Sequence, residues 1–262
     1  MRHPTRLIPL AVTLLACAFL LVPIVQSVLA GLTVNYFRGL SSGLTLKWVG
    51  EVWGLYASSI LLSIWLALAC LAVTLVLGVP AAYALARRPG RAARVLEEFI
   101  SLPLAVPGLA LALALLQLYG SYSGFRTSWA FILVGHVLYT LPFMVRSVLA
   151  VLAAIDLKTL EEGAATLGAG PARRFFDIVV PNALPGILAG ALTVVTLSIG
   201  EFNLTWMLHT PYLKTLPVGL ADSYASMRLE IASAYTLVFF VMIVPLLVAM
   251  QWASARAQRI LS

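Results

Sequence analysis

Few side chains in this 262-residue chain could do chemistry, and their spacing excludes most of the usual kinds. His3, His136 and His209 stand far apart, and none shares metal-ligand spacing with a cysteine or carboxylate. Cys17 and Cys70 lie inside long apolar runs without a CxxC frame, so neither a disulfide framework nor a metal cluster is indicated. Lys47, Lys158 and Lys214 all lack the glycine frame of G-x-x-x-x-G-K-[ST], the loop that cradles nucleotide phosphates. HExxH and GxSxG are absent as well. The expectation is a chain that is no enzyme and holds neither cofactor nor metal of its own.

One carboxylate is out of place. Glu201 sits in an apolar stretch with Asn203, Thr205 and Trp206 close by. A charge at membrane depth is costly and usually faces protein or water, not lipid. Two roles are open to Glu201 and Asn203: lining a translocation path for a cationic cargo, or pinning a helix to its neighbour at a gate. His136, with Tyr139 on the same apolar segment, reads as a packed, hydrogen-bonded histidine.

The elements that must position these groups are membrane helices. Hydrophobic residues make up 61% of the chain and charged ones 10%, against about 25% charged in a soluble domain. Six runs approach the roughly 20 apolar residues needed to cross a bilayer: Leu7–Leu29, Ser58–Leu85, Ile100–Tyr119, Trp129–Leu152, Ala183–Leu208 and Ile231–Trp252. The first exceeds the roughly 7–15 apolar residues of a signal peptide, so it is expected to be a retained span. Continuous apolar runs exclude a β-barrel, whose strands alternate.

Charge orients the spans. Arg2, Arg6, the Arg87–Arg94 cluster, Arg146, Lys158, Arg173, Arg174, Arg256 and Arg259 fall on one side. Only Arg38, Lys47, Arg126, Lys214 and Arg228 fall on the other. The positive-inside rule then places both termini on the cytoplasmic side of a multi-pass membrane protein. Gly78 and Pro80 in the second run, and Pro103 and Pro107 in the third, predict kinks or a broken helix.

The longest cytoplasmic loop, about residues 153–182, has structure of its own. Asp156 is a good N-cap, Leu157, Leu160, Ala164 and Leu167 recur at helical spacing, and Gly168 is placed to end the helix. Pro171 suits the first position of a second helix running through Arg173, Arg174 and Phe175. Gly163, Ala164, Ala165 and Gly168 leave part of this helix–turn–helix almost bare, so another surface could approach its backbone.

This loop resembles the "EAA" loop of binding-protein-dependent ABC importer permeases, E-A-A-x3-G-x9-I-x-L-P. Here the pattern reads Glu162-Gly163-Ala164, three residues, Gly168, nine residues, then Ile178-Val179-Val180-Pro181. Gly163 replaces the first alanine and Val180 the leucine. The Leu75–Arg87 segment, the Pro103/Pro107 pair, Ser198–Phe202 and Thr215–Val218 look like the subgroup that serves polyamines, iron(III), thiamine and 2-aminoethylphosphonate.

The resemblance implies an all-α, six-span permease of the bacterial inner (plasma) membrane, forming one transmembrane domain over residues 1–262, with its core at about 44–255. Glu162, Gly163, Ala164, Gly168, Ile178 and Pro181 would then belong to a coupling helix seated in a separate ATPase subunit. ATP would be used by a pair of those partners. A second permease chain, related but distinct, and a periplasmic or lipid-anchored solute-binding protein would complete the importer. The implied cargo is a small polar solute such as a polyamine, an aminophosphonate or iron(III). A secondary transporter and a non-transporting membrane scaffold are the competing readings. No nucleic-acid partner is expected.

Overall fold

The computed structural model describes residues 7–261. Within that range the chain is helical: α1 (Leu7–Ala30), α2 (Lys47–Arg87), α3 (Arg91–Ala105), α4 (Gly108–Tyr119), α5 (Ser123–Arg126), α6 (Trp129–Ala153), α7 (Leu157–Thr166), α8 (Pro171–Arg174), α9 (Val180–Gly200), α10 (Asn203–Leu208), α11 (Leu216–Ala225) and α12 (Leu229–Leu261). A π-helical turn at Phe175–Val179 joins α8 to α9. Extended pairing among the described residues is limited to isolated bridges, Thr33 with Leu44 and Thr210 with Leu213.

Among the described residues, five helices are long and apolar enough to cross a membrane: Ile8–Ala30, Lys47–Arg87, Trp129–Ala153, Pro171–Gly200 and Leu229–Trp252. The third expected span is different. It is split into α3 and α4, which meet at a 102° bend across Val106 and Pro107. The 12 residues of α4 extend only about 18 Å, short of a roughly 30 Å hydrocarbon core. Six crossings result when the bent pair counts as one.

Two other expectations need correction. Gly78 and Pro80 do not interrupt α2, which stays helical through them. A Cβ at Gly78 would lie 2.8 Å from Met144 Cγ, so glycine there serves close packing. The non-helical residue of α2 is Tyr56, with φ −130° and ψ 17°. The fifth span does not run to Leu208: its helix stops at Gly200, and α10 begins after a break at Glu201 and Phe202.

The chain forms two compact units. One takes residues through Ser58 together with Gly219–Met242. Its ties include long sequence separations: Trp48 Nε1 donates to the Thr33 carbonyl at 2.9 Å, and the Tyr36 N–H donates to Glu230 at 2.9 Å. Arg228 donates to the Tyr56 hydroxyl at 2.9 Å and lies 3.9 Å from Glu51.

The second unit, Ser59–Val218 with Ile243 onward, carries the candidate site. Lipid removes the hydrophobic drive for helix pairing, so close van der Waals approach must hold its helices together. Small residues on α9 allow that approach to α6. A Cβ at Gly186 would lie 2.5 Å from the Ser147 carbonyl oxygen, and one at Gly190 would lie 3.2 Å from Met144 Cα. Val148, Val179, Ala183 and Val194 are fully buried beside this seam. Gly186→Val is therefore expected to cost about 1–3 kcal/mol by overpacking. Thermal unfolding in detergent would show it as a lowered midpoint, and a wild-type midpoint would mean that α6 and α9 are not held this close.

Candidate coupling and gate site

The loop after α6 begins with a strong cap. Asp156 accepts from the Thr159 hydroxyl at 2.6 Å and the Thr159 N–H at 3.2 Å. These hydrogen bonds, the side-chain one foremost, hold its carboxyl below the ordinary aspartate range. The folded pKa is the depressed one, so the cap's contribution is present above the unfolded value and fades as pH falls through the folded one. At its other end α7 closes as a Schellman turn: the Ala169 N–H reaches the Ala164 carbonyl and the Gly168 N–H the Ala165 carbonyl, each at 3.0 Å. Gly168 has φ +83°, which an L side chain adopts only with strain.

Tertiary contacts then decide which face of α7 points inward. Leu157 and Glu161 are buried and Ala164 is half-buried. Leu160 and Leu167, expected on the same stripe from their spacing, point outward instead, and Leu167 is 89% exposed. Glu161 is only 5% exposed. It accepts a short hydrogen bond from the Tyr83 hydroxyl and lies 3.3 Å from Arg87 Nε, both at the end of α2. The Phe175 ring packs on Tyr83 with centroids 5.4 Å apart. Glu161, Leu157 and Phe175 thus bolt the loop to the membrane helices.

Glu162, the carboxylate that the motif singles out, is solvent-facing and pairs with Lys158 at 3.8 Å. Gly163 is exposed, with nothing within 4 Å of where a Cβ would stand, and Gly168 is equally open. Ile178 is half-buried in the π turn, and Pro181 sits in the first turn of α9. The outward face of the loop therefore includes Leu160, Gly163, Leu167 and Phe176, apolar or bare, among the exposed charges of Lys158, Glu162, Arg173 and Asp177. Gly163→Ala should fold at least as well as wild type, by up to about 1 kcal/mol, because the site is open and helical. A lowered thermal midpoint would show that the backbone there is not ordinary helix.

A second polar group lies at the broken end of α9. The Glu201 carboxylate accepts from the N–H groups of Leu204 and Thr205, both at 2.8 Å, and from the Thr205 hydroxyl at 2.6 Å. It caps α10. His136, 1% exposed on α6, hydrogen-bonds Ser198 through Nδ1 and Thr205 through Nε2, both at 2.8 Å. Arg126 donates to the Leu208 carbonyl at 2.8 Å, closing the far end of α10. Asn203 is exposed, and a Cβ at Gly108, where α4 starts, would lie 3.5 Å from Asn203 Cβ. The two helix breaks therefore meet. Among the described residues no group of three histidine, cysteine, aspartate or glutamate side chains could hold a metal ion.

Residues 75–259 match the family described as binding-protein-dependent transport system inner membrane component. A molybdenum transport system permease protein of Haemophilus influenzae is 31% identical over 219 residues, 77% of this chain and 95% of that protein. Its counterpart in Escherichia coli (strain K12) is 37% identical over 129 residues, 45% of this chain and only 55% of that protein's length. A molybdate/tungstate transport system permease protein of Pyrococcus abyssi is 27% identical over 186 residues, covering 71% of this chain and 73% of its own. In fold, the chain is similar to one in an inward-facing structure of the MetNI methionine ABC transporter, with a TM-score of 0.64, 19% identity, and coverage of 81% of this chain and 98% of that one. This chain belongs to the family of inner membrane components of binding-protein-dependent transport systems.

Proposed function

We propose that the chain is the permease of an ATP-driven importer for a small inorganic oxyanion of the molybdate or tungstate class. The coupling half of that reading is carried by one observation: α7 is bolted inward through Glu161 while Leu160, Gly163, Leu167 and Phe176 are left outward. A helix held on one side, with apolar and bare positions beside an exposed ion pair on the other, suits a lever seated in a separate ATPase subunit. Glu162, Gly163, Ala164 and Gly168 form its coupling half, and Ile178 and Pro181 carry its motion into α9. The partners would be two ATPase subunits, a second permease chain and a solute-binding protein. Residues of about 44–255 act as one permease domain, with both termini and the 153–182 loop in the cytoplasm.

The cargo class rests on the relatives, whose names specify molybdenum, molybdate or tungstate. A cationic cargo, one of the two roles left open to Glu201, loses its motive, because that carboxylate is engaged by three donors of its own chain. Co-expression with an ATPase bearing a P-loop and a solute-binding protein is expected to give ATP-dependent molybdate uptake that tungstate competes with. Uptake of a polyamine but not molybdate would overturn the cargo assignment. Uptake without any ATPase would overturn the coupling assignment in favour of a secondary transporter.

A further inference from the structure

The inner end of the second unit holds a cleft of about 660 Å³ between the end of α2, α3, the end of α6 and α7. Its carboxylates are engaged: Glu161 by Tyr83 and Arg87, Glu162 by Lys158, Glu97 by Arg146 at 3.9 Å, and Asp156 by Thr159. Two lining cations remain. Neither Arg94 nor Arg174 has an ion-pair partner among the described residues, and Arg174 Nε is buried without a hydrogen-bond acceptor. A buried guanidinium N–H without an acceptor is costly and calls for an anion or a polar ligand.

The cleft opens beside a lipid-like surface. Ala93 and Ile100 of α3 pack on the core, whereas Val95, Leu96, Phe99 and Leu102 are exposed. Val95, Phe99 and Leu102 follow 3.6-residue spacing, so they form a stripe facing away from the packed side, with Arg91, Arg94 and Glu98 along its margin. An amphipathic helix with an exposed apolar stripe and a charged margin, set at 102° to the helix that follows it, has the signature of a segment lying in the headgroup layer.

We infer that this cleft binds the headgroup of an anionic phospholipid, with Arg94 and Arg174 on the phosphate and the acyl chains along the Val95–Phe99–Leu102 stripe. The occupant is chosen by charge complementarity and by continuity between the basic cleft and the apolar stripe. Lipid bound there would brace α3 against the base of α7.

Native mass spectrometry of the full chain, titrated in detergent with phosphatidylglycerol, tests this. Phosphatidylglycerol adducts should form well below the concentrations at which phosphatidylcholine adducts appear. Each arginine near an anionic surface contributes about fivefold, so R94Q/R174Q should weaken the adducts roughly thirtyfold. The R88Q/R173Q variant loses the same charge from exposed positions outside both the cleft and the α3 stripe, and should bind like wild type. Equal weakening in both variants, or none in R94Q/R174Q, would overturn the site. Inorganic phosphate that competes as well as phosphatidylglycerol would assign the cleft to a free anion. Loss of the lipid whenever an ATPase subunit co-purifies would assign it to a protein partner. Either result overturns the lipid assignment.

Discussion

Glu161→Ala should leave the protein in the membrane and all but abolish transport. The substitution removes the buried acceptor that joins α7 to Tyr83 and Arg87 at the end of α2. A hydrogen bond to a charged group contributes on the order of 1.5–3 kcal/mol. Loss of that amount lowers the docked population of α7 about ten- to hundredfold relative to its undocked one. Arg87 is half-exposed and can be solvated once its partner is gone, so the effect should stay local to the loop. Glu161→Gln keeps an acceptor for Tyr83 and should fall between alanine and wild type. ATP-dependent uptake in vesicles, normalised to membrane content, provides the readout. Wild-type uptake by Glu161→Ala would mean that the bolt does not transmit movement.

His136→Ala should be the most destabilising single change near the break between α9 and α10. Its ring joins Ser198 of α9 to Thr205 of α10, and both hydroxyls are buried. Orphaning the buried Ser198 hydroxyl costs about 1–3 kcal/mol, while the Thr205 hydroxyl keeps its bond to Glu201, and the cavity left by the ring adds to that loss. Gly135, beside it, already receives the Leu204 and Leu208 side chains of α10, which leaves little freedom for repacking. Thermal unfolding in detergent should show a markedly lower midpoint, with His136→Asn partly restored because its amide can still serve one hydroxyl. A midpoint within error of wild type would show that the three side chains are not coupled.

The parts of this molecule that are legible in its sequence are those governed by neighbours along the chain. Asp156 as a cap and Gly168 as a helix stop are local chemistry, and the structure has both. The Pro103/Pro107 pair signals a break, and α3 and α4 meet there. Gly78 and Pro80 carry the same local signal, yet α2 continues, because packing against Met144 and the rest of the bundle supports the helix through them. Helical spacing places Leu160 and Leu167 with Leu157 but cannot say which face the membrane helices will take. That choice depends on the end of α2, where Tyr83 lies 78 positions upstream of Glu161. It makes Glu161 the anchor and Glu162 the exposed neighbour. Glu201 is conspicuous as a charge in an apolar run, but its role as the cap of α10 emerges only once the chain breaks at Phe202.

The most direct measurement is site-directed cross-linking from the tip of the loop. Leu167, 89% exposed, would be replaced by cysteine in a chain whose Cys17 and Cys70 have been removed. With α7 seated in an ATPase subunit, this cysteine is expected to cross-link to the co-expressed ATPase, and ATP is expected to change the yield. A cysteine at Tyr212, exposed beyond α10, should give no such product. A cross-link from position 212 with none from position 167 would contradict the account.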